Sequence, residues 1–110
     1  MADRLGLGSF EFATVMAVLR LRESAYGVRI RQEIEALLNK PVAIGAVYTT
    51  LARLEDKGYV SSFTGEPTAE RGGRAKRFYR LEAPGQRALS ATMAEQDRLR
   101  GTLPAGALPA

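Results

Sequence analysis

The sequence has 110 residues and a formal net charge of +4, and it contains neither cysteine nor histidine. A chain of this length forms one domain with a modest core. Without thiols or imidazoles, the sequence excludes disulfides, thiol nucleophiles, the usual zinc sites and Ser-His-Asp arrangements. We therefore expect no enzyme activity, no catalytic or metal-binding residues and no cofactor.

The positive charge is concentrated in residues 71–110. Residues 1–70 carry eight Lys/Arg against nine Asp/Glu, whereas residues 71–110 carry eight against three. A basic patch on a small domain is typical of proteins that bind nucleic acid, with a merely solvated surface as the alternative interpretation. The patch lies in the stretch ERGGRAKRFYR and consists of Arg71, Arg74, Lys76, Arg77 and Arg80.

The N-terminal stretch MADRLGLGSFEF does not read as a signal peptide. It lacks a basic segment followed by an apolar core and a small-residue cleavage site, and no apolar run approaches the length of a membrane span. We expect a cytoplasmic protein with no membrane partner.

A first helix is predicted from Ser9, as its N-cap, to about Arg22. Its apolar residues occupy two nearly opposite faces, and a helix that is apolar on both faces must be buried on both. We expect that another subunit supplies the second covering surface. One face carries Phe12, Val15 and Leu19, and the other carries Phe10, Ala17 and Leu21.

Two further helices follow. Ser24 predicts the cap of a second helix that begins near Ala25 or Tyr26 and ends before Asn39. A third helix is predicted from near Gly45 to Gly58, where the glycine is suited to a C-terminal cap. Its buried stripe is Val47, Leu51 and Leu54, its outward face is Ala46, Thr49 and Arg53, and Tyr48 and Thr50 lie on the flanks.

After Gly58 the pattern changes to strands. The segments YVSSF and KRFYRL are rich in aromatic and β-branched residues, and the polar stretch TGEPTAERGGRA between them predicts a hairpin with a long turn. Pro84 and Gly85 introduce a last helix, in which Leu89 and Met93 form an apolar seam. The final stretch, GTLPAGALPA, is predicted to be a flexible tail.

Three helices followed by a two-stranded ribbon is the order of a winged helix-turn-helix, a mainly α fold with a small β-hairpin. In that architecture the third helix enters the major groove and presents hydrogen-bonding side chains to base edges, while cations of the ribbon contact phosphates. The predicted DNA-binding residues are Gly45, Ala46, Tyr48, Thr49, Thr50 and Arg53 in the helix, and Arg71, Gly72, Gly73, Arg74, Lys76 and Arg77 in the hairpin.

Four stretches of the sequence together span about residues 5–90: LGSFEFATVMAVLRL, AYGVRIRQEIEALL, IGAVYTTLARLEDKGYV and GEPTAERGGRAKRFYRLEAPGQRAL. In their order and spacing they resemble the PadR family of bacterial transcriptional regulators. The resemblance implies a winged-helix, homodimeric repressor whose C-terminal helix joins the N-terminal region in the dimer interface. By this resemblance, Gly45 to Leu54 form the recognition helix, and Arg71 to Tyr79 form the wing tip and second wing strand.

The resemblance sets an expected organisation: a DNA-binding domain over 1–82, a dimerisation helix over 83–100, and a tail over 101–110. The family commonly has a Thr where this chain has Glu82, followed by Ala83 and Pro84, so the start of the last helix departs from the family pattern. Some relatives bind small molecules near a Trp of the dimer interface, but this chain has no Trp, which leaves an effector unassigned. The predicted dimer interface is Phe10, Ala17, Leu21, Leu89 and Met93.

Three alternatives stay open at this stage. The third helix or the hairpin could dock an acidic protein partner in place of DNA. The chain could instead be a small ligand-sensing protein or an enzyme, which its residue inventory disfavours. Arg53 could pair with Glu55, Asp56 or solvent and have no role in binding. The favoured function is a sequence-specific regulator that binds double-stranded DNA as a homodimer on a two-fold symmetric site.

Overall fold

The computed structural model describes residues 7–65 and 76–106. In chain order the secondary-structure elements of these residues are α1 (Ser9–Leu21), a 3₁₀ turn (Arg22–Ser24), α2 (Gly27–Leu38), α3 (Ile44–Asp56), β1 (Val60–Thr64), β2 (Arg77–Leu81) and α4 (Ala83–Arg100). The two strands pair as one antiparallel sheet. The predicted fold class, mainly helical with a small hairpin, is confirmed. Within the described ranges, no helix is both long and apolar enough to cross a membrane.

The first turn of α1 is capped by a carboxylate of its own helix. The Gly8 amide donates to Glu11 Oε1 at 3.2 Å, and Gly8 has the extended backbone of an N-cap residue. Ser9 is the first helical residue, so the predicted Ser9 cap is wrong by one position. Glu11 thus satisfies the amide of the N-cap residue itself, which is half of a capping box, while the glycine supplies no side-chain oxygen to the first-turn amides.

α1 is the central helix of the domain. It contacts α2, α3, β2 and α4, and both Val15 and Ala17 are fully buried by the chain itself. The two apolar faces therefore do not require a second subunit at these positions. Helical periodicity gives the direction of each side chain but not which elements of the same chain will cover it.

α2 begins at Gly27, one residue after its predicted start region of Ala25 or Tyr26. Ser24 ends the 3₁₀ turn and provides no cap, and Tyr26 is the N-cap residue of a helix that starts at Gly27. The helix ends at Leu38, as predicted before Asn39, and Asn39 is its C-cap residue in the left-handed conformation with a φ of 57°. Beyond it, Glu35 Oε2 accepts a hydrogen bond from the Val42 amide at 2.9 Å and so fixes the short turn into α3.

The core is built where the inward faces of these helices meet. The predicted stripe of α3, Val47, Leu51 and Leu54, is fully buried, as predicted. Burying side chains of this size contributes roughly 1.5 to 3 kcal/mol each, so α3 is held firmly by one face. The α2 and β1 partners in this layer are Ile30, Ile34 and Val60.

A glycine turn leads from α3 into the sheet. Gly58 has a φ of +78°, its amide donates to Glu55 O at 2.9 Å, and the Tyr59 amide donates to Leu54 O at 2.9 Å. These two bonds are those of a Schellman motif, which ends a helix with a left-handed residue. The predicted C-terminal cap at Gly58 is confirmed, and it directs β1 away from the end of α3.

The sheet is attached to the helices along β2. Its register pairs Ser62 with Tyr79 and Phe63 with Phe78. On the other edge of β2, the Tyr79 amide donates to Ala25 O at 2.8 Å, and Tyr26 forms a bridge with Phe78. The residues just before α2 thus take the place of a third strand beside the hairpin.

Only the first half of α4 packs against the body. Pro84 lies in its first turn, where a missing amide costs nothing, and the helix starts at Ala83. The residues of α4 that pack inward are Gly85, Ala88, Leu89 and Thr92. The Leu7 amide donates to Thr92 Oγ1 at 2.8 Å, which ties the segment before α1 to this helix.

Candidate nucleic-acid interface

The outward face of α3 is polar, and its opposite face is in the core. Ala46, Thr49 and Arg53 are exposed, as the helical periodicity predicted. Tyr48 is 45% exposed, whereas Thr50 is only 6% exposed and lies beside the buried stripe. Thr50 therefore does not belong to the exposed surface, because a residue 60° from Val47 on the wheel is still covered by the neighbouring elements.

Arg53 lies in the last turn of α3, on the exposed side. Among the described residues it has no ion-pair partner within 4.0 Å, and the predicted alternative of a pair with Glu55 or Asp56 is not found there. Its guanidinium, a donor fork that suits guanine edges or phosphate, is thus available on this face.

The amino end of α2 is adjacent to this face through Tyr48. The end of the Tyr48 ring lies against the Cα atom of Gly27, in space that any larger residue at position 27 would occupy. Gly27 is the first residue of α2, and the N-cap Tyr26 gives no side-chain cap to the first-turn amides. Helix amino ends of this kind attract anions. The sequence analysis missed Gly27, although the glycine in AYGV at a helix start was a usable signal.

The part of the hairpin around Lys76 continues the same surface. The Lys76 ammonium lies 4.7 Å from the centre of the Tyr26 ring, and Gly65 and Lys76 close the described part of the hairpin with an amide-to-carbonyl bond of 2.8 Å. Tyr26 in turn meets Phe78 edge-on, with ring centres 5.5 Å apart. Tyr48, the start of α2 and Lys76 therefore occupy one continuous stretch of surface.

Arg77 is engaged within the fold. Its Nη2 atom donates to Ser62 Oγ at 2.7 Å and lies 3.9 Å from Glu55 Oε2. Ser62 Oγ itself donates to Glu55 Oε2 at 2.7 Å. The predicted DNA contact Arg77 thus sits in a network that joins the hairpin to the last turn of α3.

Tyr79 lies beside this network and faces the core. Burial raises the pKa of the Tyr79 phenol above its usual value, and the nearby positive charge of Arg77 offsets part of that effect. The phenol is accordingly neutral at physiological pH and serves as a packing residue.

An electrostatic contact holds the end of α3 to α1. The Lys57 ammonium donates to Glu11 Oε2 at 2.9 Å. Burial acts to raise the pKa of Glu11, but the hydrogen bonds from Lys57 and from the Gly8 amide outweigh it, and the pKa is lowered. The carboxylate is therefore fully ionised at neutral pH and carries two hydrogen bonds from different parts of the chain.

A groove of about 530 Å³ lies between the end of α1 and the hairpin. Phe63 and Phe78 stack in its wall with ring centres 5.7 Å apart, and the Arg80 guanidinium covers the Phe63 ring at 4.8 Å. Its remaining apolar walls come from Val18, Leu19 and Leu81, and its charged rim from Arg22 and Glu23.

The predicted dimer-interface residues have different environments. Phe10 and Leu21 are partly buried, Ala17 and Leu89 are buried in the chain, and Met93 is 45% exposed. The sequence analysis missed Leu99, which is 62% exposed on α4. Its spacing of two helical turns from Thr92 places it on the side of α4 that packs inward earlier in the helix, and this was the available signal.

The predicted DNA-binding residues divide into three groups. The structure brings together the exposed residues of α3 and Lys76, with Arg77 at the junction. Thr50 is withdrawn from the surface. Four wing-tip residues, Arg71, Gly72, Gly73 and Arg74, lie outside the described residues.

Comparison with known proteins gives a family and a fold. The model of the PadR-like family of transcriptional regulators matches residues 15–91, more than half of the chain. A PadR-family transcription regulator from Eggerthella lenta superposes with a TM-score of 0.62 at 25% identity, covering 80% of this chain and 74% of that one. A search of curated proteins found no match.

Two further solved structures share the fold. A PadR-like transcription factor from Bacteroides fragilis has a TM-score of 0.64 at 23% identity and covers 82% of this chain and 84% of its own. A transcriptional regulator from Clostridium thermocellum has a TM-score of 0.64 at 22% identity and covers 86% and 92%. The architecture described above is thus one that known regulators adopt.

Proposed function

The chain belongs to the PadR-like family of transcriptional regulators, and on that premise we propose that it is a repressor that binds a two-fold symmetric operator in double-stranded DNA as a homodimer. The observation that carries the proposal is the asymmetry of α3. One face is fully buried, and the other presents Tyr48, Thr49 and Arg53 to solvent. A rigid helix with an exposed polar face is what major-groove recognition requires.

The roles of the two parts of the surface follow from their chemistry. Arg53 and Thr49 on α3 are placed to meet base edges, because a guanidinium and a hydroxyl can both discriminate between bases. Lys76 and the wing-tip cations Arg71 and Arg74 contact phosphates, with Gly72 and Gly73 allowing close approach of the backbone. The amino end of α2 beside Tyr48 supplies further donors for a phosphate.

The homodimer rests on α4. Met93 and Leu99 are large apolar residues that the chain leaves exposed on α4, six residues and therefore roughly 120° apart around the helix. In an isologous interface each of them would be buried twice, once in each subunit. A two-fold axis that relates two subunits also relates their two α3 helices, which is why the proposed operator is symmetric.

The rival function, a module that docks an acidic protein, uses the same basic surface. The two functions differ in what they predict for Arg53. A surface that docks a protein would not distinguish one DNA sequence from another, whereas the proposed role of Arg53 requires a preferred sequence. The first experiment is selection of bound fragments from a random duplex library at moderate salt. The proposal requires enrichment of one sequence with two-fold symmetry.

The second experiment separates base recognition by α3 from phosphate binding by the hairpin. Fluorescence anisotropy on the selected and a scrambled duplex compares Arg53→Ala, the double variant Arg74→Ala with Lys76→Ala, and the control Arg87→Ala, which removes an exposed cation from α4. Arg53→Ala should cost roughly 1 to 3 kcal/mol on the selected duplex and little on the scrambled one. The wing variant should weaken both equally and reduce the salt slope by roughly 1 per lost contact. Equal losses for Arg53→Ala on both duplexes would refute its role in reading.

A further inference from the structure

Arg77 is the one wing cation in the described residues that has a carboxylate partner, and this changes what it can do. Its guanidinium donates to Ser62 Oγ at 2.7 Å, and the same hydroxyl donates to Glu55 Oε2 at 2.7 Å. The hydroxyl therefore uses its hydrogen as a donor and a lone pair as an acceptor at the same time. Its orientation is set from both sides.

The three residues come from three different elements. Glu55 is the next-to-last residue of α3, Ser62 is the middle residue of β1, and Arg77 is the first residue of β2. These are the elements whose relative angle decides whether the helix can lie in one groove while the hairpin follows the backbone beside it. The network closes a triangle between them.

The network contributes little to the stability of the fold, so its effect is on geometry. The Arg77 and Glu55 side chains are 60% and 38% exposed, and their charged atoms are 3.9 Å apart. Ion pairs with this much solvent contribute between nothing and about 1 kcal/mol to stability. Loss of the network would thus leave the fold intact but allow the hairpin to change its angle to α3.

We infer that Arg77 is a positioning residue for DNA binding, which sets the angle between the hairpin and α3 through Ser62 and Glu55, and is not a phosphate contact. The inference rests on the proposed function. The sequence placed Arg77 with the phosphate-binding cations, because a local pattern cannot show a carboxylate 22 residues away. A guanidinium whose charge is already partly balanced by that carboxylate neutralises a phosphate less completely, and so displaces fewer of the counterions condensed on the DNA.

The salt dependence of binding separates the two roles. A phosphate contact contributes roughly 0.9 to the slope of log affinity against log salt. Arg77→Ala and Ser62→Ala should each lower affinity for the selected duplex by roughly three- to tenfold, the loss expected for one ordinary hydrogen bond, with the slope unchanged. Lys76→Ala, the neighbouring cation without a carboxylate partner in the described residues, should lower the slope by roughly 0.9.

Removal of the Glu55 carboxylate gives a second readout, because the two roles of Arg77 predict opposite changes in affinity. If Arg77 held phosphate, Glu55→Ala would free the guanidinium and strengthen binding. In the positioning role Glu55→Ala weakens binding to the selected duplex relative to Asp56→Ala, which removes the adjacent exposed carboxylate and reports the general effect of lost negative charge. All variants are compared at a temperature where circular dichroism shows each to be folded.

The outcomes are distinguishable. A wild-type chain that enriches no duplex overturns the proposed function and the inference with it. A wild type that binds, together with an Arg77→Ala variant whose slope falls like that of Lys76→Ala, keeps the function and overturns the inference. Stronger binding by Glu55→Ala than by Asp56→Ala also overturns it. Unchanged slopes with weaker binding by Arg77→Ala, Ser62→Ala and Glu55→Ala support it.

Discussion

The helices α3 and α4 make opposite use of their apolar residues. α3 buries Val47, Leu51 and Leu54 completely, so every turn of the helix is held by the core. α4 is longer, but its buried residues end at Thr92, and the remainder up to Arg100 is exposed. Met93 and Leu99 are among the most exposed apolar side chains of the chain.

The difference indicates where the chain buries its apolar side chains by itself and where it leaves them exposed. When the apolar stripe of a helix is buried within its own domain, only the polar face of that helix is exposed. Such a face is suited to binding a polar ligand. A helix that keeps apolar side chains beyond its domain is suited to burying them against another apolar surface. We therefore expect substitutions on the two helices to have different effects on assembly, stability and DNA binding.

The largest expected effect is on assembly. Met93→Glu combined with Leu99→Glu places charge where the proposed dimer buries apolar area. Burial of such a side chain contributes roughly 1.5 to 3 kcal/mol, and each occurs twice in a symmetric dimer, so dissociation should increase by at least about a hundredfold. Sedimentation velocity across a concentration series measures it.

The control for this pair carries the same charge change on the opposite side of α4. Ala91→Glu combined with Ala94→Glu alters two exposed positions on the side of α4 opposite the midline between the Met93 and Leu99 side chains. It should leave the oligomeric state unchanged. If both pairs of substitutions dissociate the assembly, or if neither pair does, the exposed side chains of Met93 and Leu99 do not form the interface.

The next effect is on stability, and two glycines at similar positions of the two helices sharpen the comparison. A Cβ atom at Gly85 in the first turn of α4 would collide with the carbonyl oxygen of Tyr59, which is backbone and cannot move aside cheaply. Gly85→Ala should therefore destabilise by roughly 1 to 3 kcal/mol, the usual cost of overpacking. Chemical denaturation at a fixed protein concentration gives the free energy of unfolding.

Gly45 in the first turn of α3 is the matched control. A Cβ atom there would have no neighbour within 4 Å. Gly45→Ala should leave stability unchanged or raise it by up to about 1 kcal/mol, because alanine loses less conformational entropy in a helix. A loss of stability at Gly45, or none at Gly85, would show that the tight contact between α4 and Tyr59 is not a constraint on the fold.

Much of this architecture was predictable because it depends on local pattern. The stripe Val47, Leu51 and Leu54 follows from helical spacing, and the cap at Gly58 follows from glycine's access to positive φ. The two strands follow from their aromatic and β-branched residues. The errors at the starts of α1 and α2 arose where a partner several residues away, such as Glu11 for Gly8, decided the boundary.

The site was less predictable, for a physical reason. Periodicity gives the direction of a side chain on its own helix, and so it found the exposed positions of Thr49 and Arg53. It does not give the neighbours supplied by distant segments, which bury Ala17 and Thr50 and engage Arg77. Leu99 was missed because an apolar residue near a chain end is usually unremarkable until its surroundings are known.

The smallest expected effect concerns the joint between the two helices. Glu11 accepts hydrogen bonds from Lys57, just beyond α3, and from the Gly8 amide. Gly8 follows Leu7, whose amide is bound to Thr92 of α4. Glu11→Gln keeps an oxygen acceptor but loses the charge, and at neutral pH it should destabilise by on the order of 1 kcal/mol.

The pH dependence of this effect identifies its origin. Because the pKa of Glu11 is lower in the folded than in the unfolded chain, its contribution is fully present above the unfolded value of about 4.3 and is lost as the pH falls through the folded value. The difference in unfolding free energy between wild type and Glu11→Gln should therefore be constant from pH 7 to about 5.5 and shrink below about 4.5. Glu23→Gln, which changes an exposed carboxylate of the 3₁₀ turn, controls for net charge and should track the wild type throughout. A Glu11→Gln difference that persists unchanged in acid would mean that the side chain acts by packing and that the link from α3 to α4 does not depend on its charge.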